Sequence, residues 1–172
     1  MPLLRFRVHW EDDDQIYRDI EMKTGQSFLE FHKIITVAFE FDSKFPATFY
    51  ESNEKWDRGL AFDSEVLVNK KGAEALSMMR TPVSAIVSKP DHKFIYEYRA
   101  KKTWTFQIVL IGIKDEINPN ATYPNVFRKE GIAPAQYGIK GMKNDKITEI
   151  EDKYDLDETQ LSEGFSSEGG DE

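Results

Sequence analysis

The chain has 172 residues, 40% of them hydrophobic and 13% aromatic, which suffices for a real core and fits one domain. It contains no cysteine, which excludes disulfides, thiolate metal sites and thiol nucleophiles. The net charge of −8 is localised: residues 143–172 carry 11 acidic residues against 3 lysines, leaving residues 1–142 with 20 acidic and 20 basic residues. The expected organisation is therefore an α+β domain over 1–142 and an acidic, disordered tail over 143–172, too poor in apolar anchors to offset its ordering entropy. No stretch has the length and apolarity of a membrane span, and the first ten residues lack the apolar run of a secretory signal. A soluble, cytoplasmic protein is the resulting expectation.

Leu4, Phe6, Val8 and Trp10 alternate with Arg5, Arg7 and His9, the period of a strand with one buried face. After the acidic turn of residues 11–15, Ile16, Ile20 and Met22 continue on alternate positions, so residues 1–22 read as an antiparallel hairpin. Ser27 with Glu30 three residues later forms a capping-box pattern, predicting a helix from Ser27 to about Phe41. At 100° per residue, Phe28, Phe31, Ile34, Ile35, Ala38, Phe39 and Phe41 share one broad side, and Glu30, Lys33, Thr36 and Glu40 lie opposite. Leu29 and Val37 fall off the stripe, which suggests contact with a second layer.

Thr48, Phe49 and Tyr50 predict a strand over 47–51, and the polar segment 52–59 a turn, before a candidate strand through Val66, Leu67 and Val68. Hairpin, helix and strand in that order suggest a β-grasp-like core. Thr81-Pro82 reads as an N-cap and first helical residue, predicting a short helix through Val83, Ile86 and Val87. A second hairpin is predicted from Phe94, Tyr96 and Tyr98 and from Trp104, Phe106, Ile108 and Leu110, joined by a basic turn. From Pro119 onward, proline and glycine predict loop.

Chemistry is sparsely signalled. His9, His32 and His92 lack metal-motif spacing, and no nucleophile elbow, phosphate loop or dinucleotide fingerprint occurs, so no catalytic, cofactor-binding or metal-binding residues are assigned. The acidic turn reads as solvated carboxylates, and His32 as a hydrogen-bonded histidine at the edge of a core. Arg99, Lys101, Lys102 and Trp104, beside Tyr96 and Tyr98, form the one place where cations and aromatics interleave, a combination able to contact phosphate and stack bases. The balanced charge of residues 1–142 lacks the broad basic surface of a nucleic-acid binder.

Taken together, these segments resemble the plasmid Ri ORF-three-like family, also described as mobile-element passenger or TnpR-like proteins. His32 and Trp56 carry the resemblance in the first half. Tyr96, Tyr98, Trp104, Tyr123, Pro124, Gly131, Pro134 and Gly138 carry it in the second. Where the family has an acidic residue after the second tyrosine this chain has Arg99, and Lys101-Lys102 replace its Gly-Asp turn. Phe106 and Phe45 stand at positions where histidine is usual. The resemblance implies architecture, and through the mobile-element label an association with nucleic acid; a recombinase would need a catalytic serine motif or recognition helix, and neither occurs. The leading expectation is a non-enzymatic interaction module with a protein partner. A nucleic-acid-associated protein of mobile genetic elements and an enzyme of unrecognised type are the alternatives, and oligomeric state is left open.

Overall fold

The computed structural model describes residues 2–136. Two compact units, Met1–Ala133 and Pro134–Glu172, divide the chain, and only residues 134–136 of the second are among those described. Gly138 and the expected acidic tail lie outside the described residues.

Alternation in the sequence becomes β1 (Leu3–Trp10) and β2 (Asp13–Lys23), paired antiparallel with Phe6 opposite Ile20 and Val8 opposite Arg18. The capping box forms as the residue types dictate. Ser27 Oγ accepts from the Glu30 amide at 3.2 Å and Glu30 Oε1 accepts from the Ser27 amide at 2.9 Å, opening α1 (Phe28–Ala38). The helix stops three residues short of the expected Phe41. Glu40 takes φ of 61°, its amide donates to Val37 O and that of Phe41 to Thr36 O, a Schellman closure that turns the chain away. Thr36 is buried instead of facing solvent, because the returning chain brings Ser43 Oγ within 2.8 Å of its hydroxyl. Val37 is 64% exposed, so at this position no second layer covers the helix.

The remaining strands are β3 (Ala47–Ser52), β4 (Ala61–Asp63), β5 (Ala75–Ser77), β6 (Lys93–Arg99), β7 (Thr103–Lys114) and β8 (Asn125–Glu130). They join one eight-stranded sheet in the order β5-β4-β3-β6-β7-β1-β2-β8, antiparallel except for β4 with β5. The hairpin–helix–strand order is present, with the β6–β7 hairpin inserted between β1 and β3.

Three sequence expectations are corrected. Val66 to Val68 form no strand; Leu67 and Val68 are 65% and 47% exposed, and the pairing falls to the flanking β4 and β5. Thr81 does not cap a helix: its hydroxyl donates to Ser77 O, Pro82 takes the cap position, and only a 3-10 turn, Val83–Ala85, follows. The segment after Pro119 contains β8, reached past a cis Tyr123–Pro124 bond and completing the sheet beside β2.

α1 lies on one sheet face with its aromatic rings on those of the strands. Phe28 stacks on Phe62 at 4.3 Å, Phe31 meets Phe6 at 4.8 Å, and Phe39 meets Phe106 at 4.5 Å. Burying each such ring contributes about 1.5–3 kcal/mol, which makes this interface the main source of stability. The opposite face is covered in part by the β3–β4 loop, held by Arg58–Glu97 at 2.6 Å and Lys93–Glu54 at 3.0 Å, with Trp56 edge-on to His9 at 6.3 Å. Among the described residues no helix is long and apolar enough to cross a membrane.

Candidate functional site

The β6–β7 turn does not gather its cations and aromatics into one surface. Trp104 is 4% exposed, packed on Trp10 at 5.8 Å and Phe41 at 5.2 Å on the helix-bearing face, with Lys102 Nζ 4.2 Å from its ring centroid. Arg99, an odd number of residues from Tyr98 along β6, lies on the other face and donates to Thr48 Oγ1, with Asp63 Oδ2 at 3.4 Å. Lys101 is exposed in the turn. The acidic β1–β2 turn is the neighbour of this basic one, since the Glu11 amide donates to Thr105 O at 3.0 Å. Structure thus brings Lys102 and Trp104 together and separates Arg99 from both.

The histidines are internal fittings. His32 is 6% exposed, its Nδ1 lies 2.6 Å from Tyr96 Oη, and burial pushes its pKa down to about 4. Burial likewise raises the Tyr96 phenol well above its ordinary value. Nδ1 of His92 accepts from the Ser88 amide at 3.2 Å, which places the ring N–H on Nε2, donated to Glu51 Oε2 at 2.7 Å. His9 keeps an unpartnered Nδ1 beneath Trp56, and burial lowers its pKa. Among the described residues no three histidines or carboxylates converge as metal ligands.

A different place combines exposure, shape and a buried charge: the cleft between the end of α1 and β8. Val8, opposite Arg18 on β1, faces the core, so Arg18 does too, and its side chain is 2% exposed. Its Nε donates to Ala38 O at 3.0 Å, and its Nη1 to Tyr17 O and Glu130 O, both at 2.9 Å. One guanidinium therefore satisfies a carbonyl at the end of α1 and ties the helix to the edge strand. Burial lowers its pKa, and the nearby Glu40 carboxylate opposes that shift. The cleft so framed has a volume of about 490 Å³, with Val37, Ala38 and Glu40 on the helix side and residues 126–129 on the strand side.

β8 gives this cleft its character. It is the last strand of the sheet, and among the described residues nothing pairs with its outer edge. The register shifts between Ile20–Val126 and Asp19–Arg128, so Phe127 is the extra residue of a bulge. Phe127 and Arg128 consequently both reach the outer sheet face, over Arg5 (4.6 Å) and Tyr17 (5.9 Å) respectively. Val126 and Lys129, opposite the inward-facing Ile20 and Arg18, share the helix-bearing face and line the cleft. A second cleft of about 520 Å³ lies at the far edge, in the loop 66–75 beside β5.

Sequence reasoning missed Arg18 and β8. One signal for Arg18 was available: it interrupts the alternation Ile16, Ile20, Met22 at a position whose neighbours all point inward. For β8 the bulge removes the alternation that would have revealed a strand.

The described residues form an α+β protein built on a mainly antiparallel sheet that carries one helix. The chain belongs to the family of plasmid pRiA4b ORF-3-like proteins, whose model matches residues 3–164. Among solved structures it is similar to MM3350, a protein of unknown function from Methanosarcina mazei Go1, with a TM-score of 0.64 and 17% identity over 97% of this chain and 92% of that one. A likeness at that identity shows the fold. Comparison with curated proteins found no match.

Proposed function

We propose that this chain is a non-enzymatic protein-interaction module that binds an extended segment of a partner at the β8 edge. The observation that carries the reading is the juxtaposition of the β8 edge, unpaired among the described residues, with an apolar cleft. An open edge offers backbone donors and acceptors to an added strand, and the cleft offers a seat for alternate side chains. Val37 at 64% and Phe127 at 39% exposure supply apolar surface on either side of that edge. Arg18, by tying Ala38 and Glu130, holds the two walls at fixed separation, so little ordering cost remains for binding. The nucleic-acid alternative finds less support, because Arg99 is engaged by Thr48 and Asp63 and Trp104 presents little free ring.

The test is selection of displayed ten-residue peptides on the immobilised full-length chain, followed by competition. Selected peptides are expected to bind saturably, to lose at least tenfold in affinity toward a Val37→Asp chain, and to lose binding when their own backbone amides are N-methylated. Peptides indifferent to both changes would refute the edge as the binding element.

A further inference from the structure

Resting on that edge-binding reading, we infer that the occupant of the α1–β8 cleft is an extended partner segment in which an apolar residue and an acidic residue are separated by one position. Charge bookkeeping in the cleft supplies the acidic half. The Glu40 carboxylate acts on buried Arg18, and Glu130 lies 3.4 Å from Arg128. Lys129, exposed and without an ion-pair partner among the described residues, is the cation left over. A carboxylate arriving beside it gains a charge-assisted contact at the rim, where the cost of desolvation is small.

Geometry supplies the apolar half and the spacing. Val37, Ala38 and Val126 form the apolar wall. Val126 and Lys129 are three positions apart in sequence, but the bulge at Phe127 consumes one of them, so their partners on β2, Ile20 and Arg18, are two apart. An added strand presents every second side chain to one face. A segment that places its apolar side chain against Val126 and Val37 therefore brings the residue two positions away to Lys129. A basic residue there would meet like charge, which gives the cleft a means of rejecting the wrong segment as well as holding the right one.

The experiment uses fluorescein-labelled ten-residue peptides, threonine-rich with a central Leu-Thr-Glu, a counterpart with Leu-Thr-Lys, and an N-methylated form of the first. Binding to the full-length chain is followed by anisotropy at low and moderate salt. The Leu-Thr-Glu peptide is expected to bind at least tenfold more tightly than the Leu-Thr-Lys peptide, and Lys129→Glu to invert that preference while thermal unfolding stays unchanged. Equal binding of both peptides, abolished by N-methylation, would overturn the acidic–apolar assignment and leave edge binding standing. Equal binding by the N-methylated peptide would overturn both readings. Absence of binding by either peptide overturns the assignment, as does concentration-dependent self-association abolished by Val37→Asp, which would give the cleft to a second copy of the chain.

Discussion

Replacing Arg18 by methionine isolates what a buried guanidinium contributes to this fold. The substitution keeps a long side chain in the core, so the cavity cost is small, and it removes three donated hydrogen bonds. Their acceptors do not suffer equally. Glu130 is exposed and Tyr17 half-buried, so water replaces the donor at their carbonyls, whereas Ala38 is buried and its carbonyl is left without a partner at the end of α1. An orphaned buried acceptor costs about 1–3 kcal/mol, and the charged bonds to the other two add about 1 kcal/mol beyond what water restores. Opposing this, the variant no longer desolvates a cation, the effect that lowers the Arg18 pKa. The expected balance is a loss of about 2–3 kcal/mol in equilibrium urea unfolding, with faster amide exchange concentrated at residues 126–130 and at the end of α1. Arg18→Lys, which keeps the charge but loses the forked spacing of the guanidinium donors, should fall between. A change below about 0.5 kcal/mol, or exchange that rises evenly across the sheet, would refute the view that Arg18 fastens the helix to the edge strand.

His32 makes stability depend on pH in a defined direction. Its folded-state pKa of about 4 lies below the ordinary 6.5, so the unfolded chain takes up the proton first as pH falls; stability is fully present above 6.5 and declines toward about 4. The His32 contribution to that decline is on the order of 3 kcal/mol, and a His32→Gln chain should show a correspondingly flatter profile in unfolding measurements across the same window. Ser27→Ala removes the side-chain half of the capping box and should cost about 1 kcal/mol by urea unfolding, with helix signal lost in proportion. Gly131 has φ of 81°, and a Cβ there would stand 2.8 Å from Ile16 Cγ1 and 3.0 Å from Ile16 Cα. Gly131→Ala should therefore cost about 2–3 kcal/mol by the same measurement, and a neutral result would contradict the tight crossing of β2 by the chain leaving β8. Val37→Asp, on an exposed helix position, should change stability by no more than about 0.5 kcal/mol, which makes it the clean probe of binding.

What could be read in the sequence was what repeats with a local period. Leu4, Phe6 and Val8 announced β1, Phe94, Tyr96 and Tyr98 announced β6, and Ser27 with Glu30 fixed the first turn of α1, because each signal is written within a few residues and the backbone period alone decides which side is buried. His32 was legible as a hydrogen-bonded core histidine for the same reason. The strand expected at Val66 to Val68 failed because β-propensity cannot say whether a neighbouring strand is there to pair with, and none came.

The candidate site belongs to the other category. Arg18, Val37 and Lys129 are distant in sequence, and nothing local foretells that β8 returns to the open side of β2 or that a bulge at Phe127 turns Val126 and Lys129 to one face. The sequence by itself determined the hairpins, the helix start and the apolar faces, since these follow from backbone period and capping chemistry. Tertiary structure alone decided which strand became the edge and which lysine was left without a counter-charge among the described residues, and that an arginine on the inward face of β2 would place its donors on the end of a helix. Strand order is set by the packing of whole faces against one another, a long-range balance that no short window of residues contains.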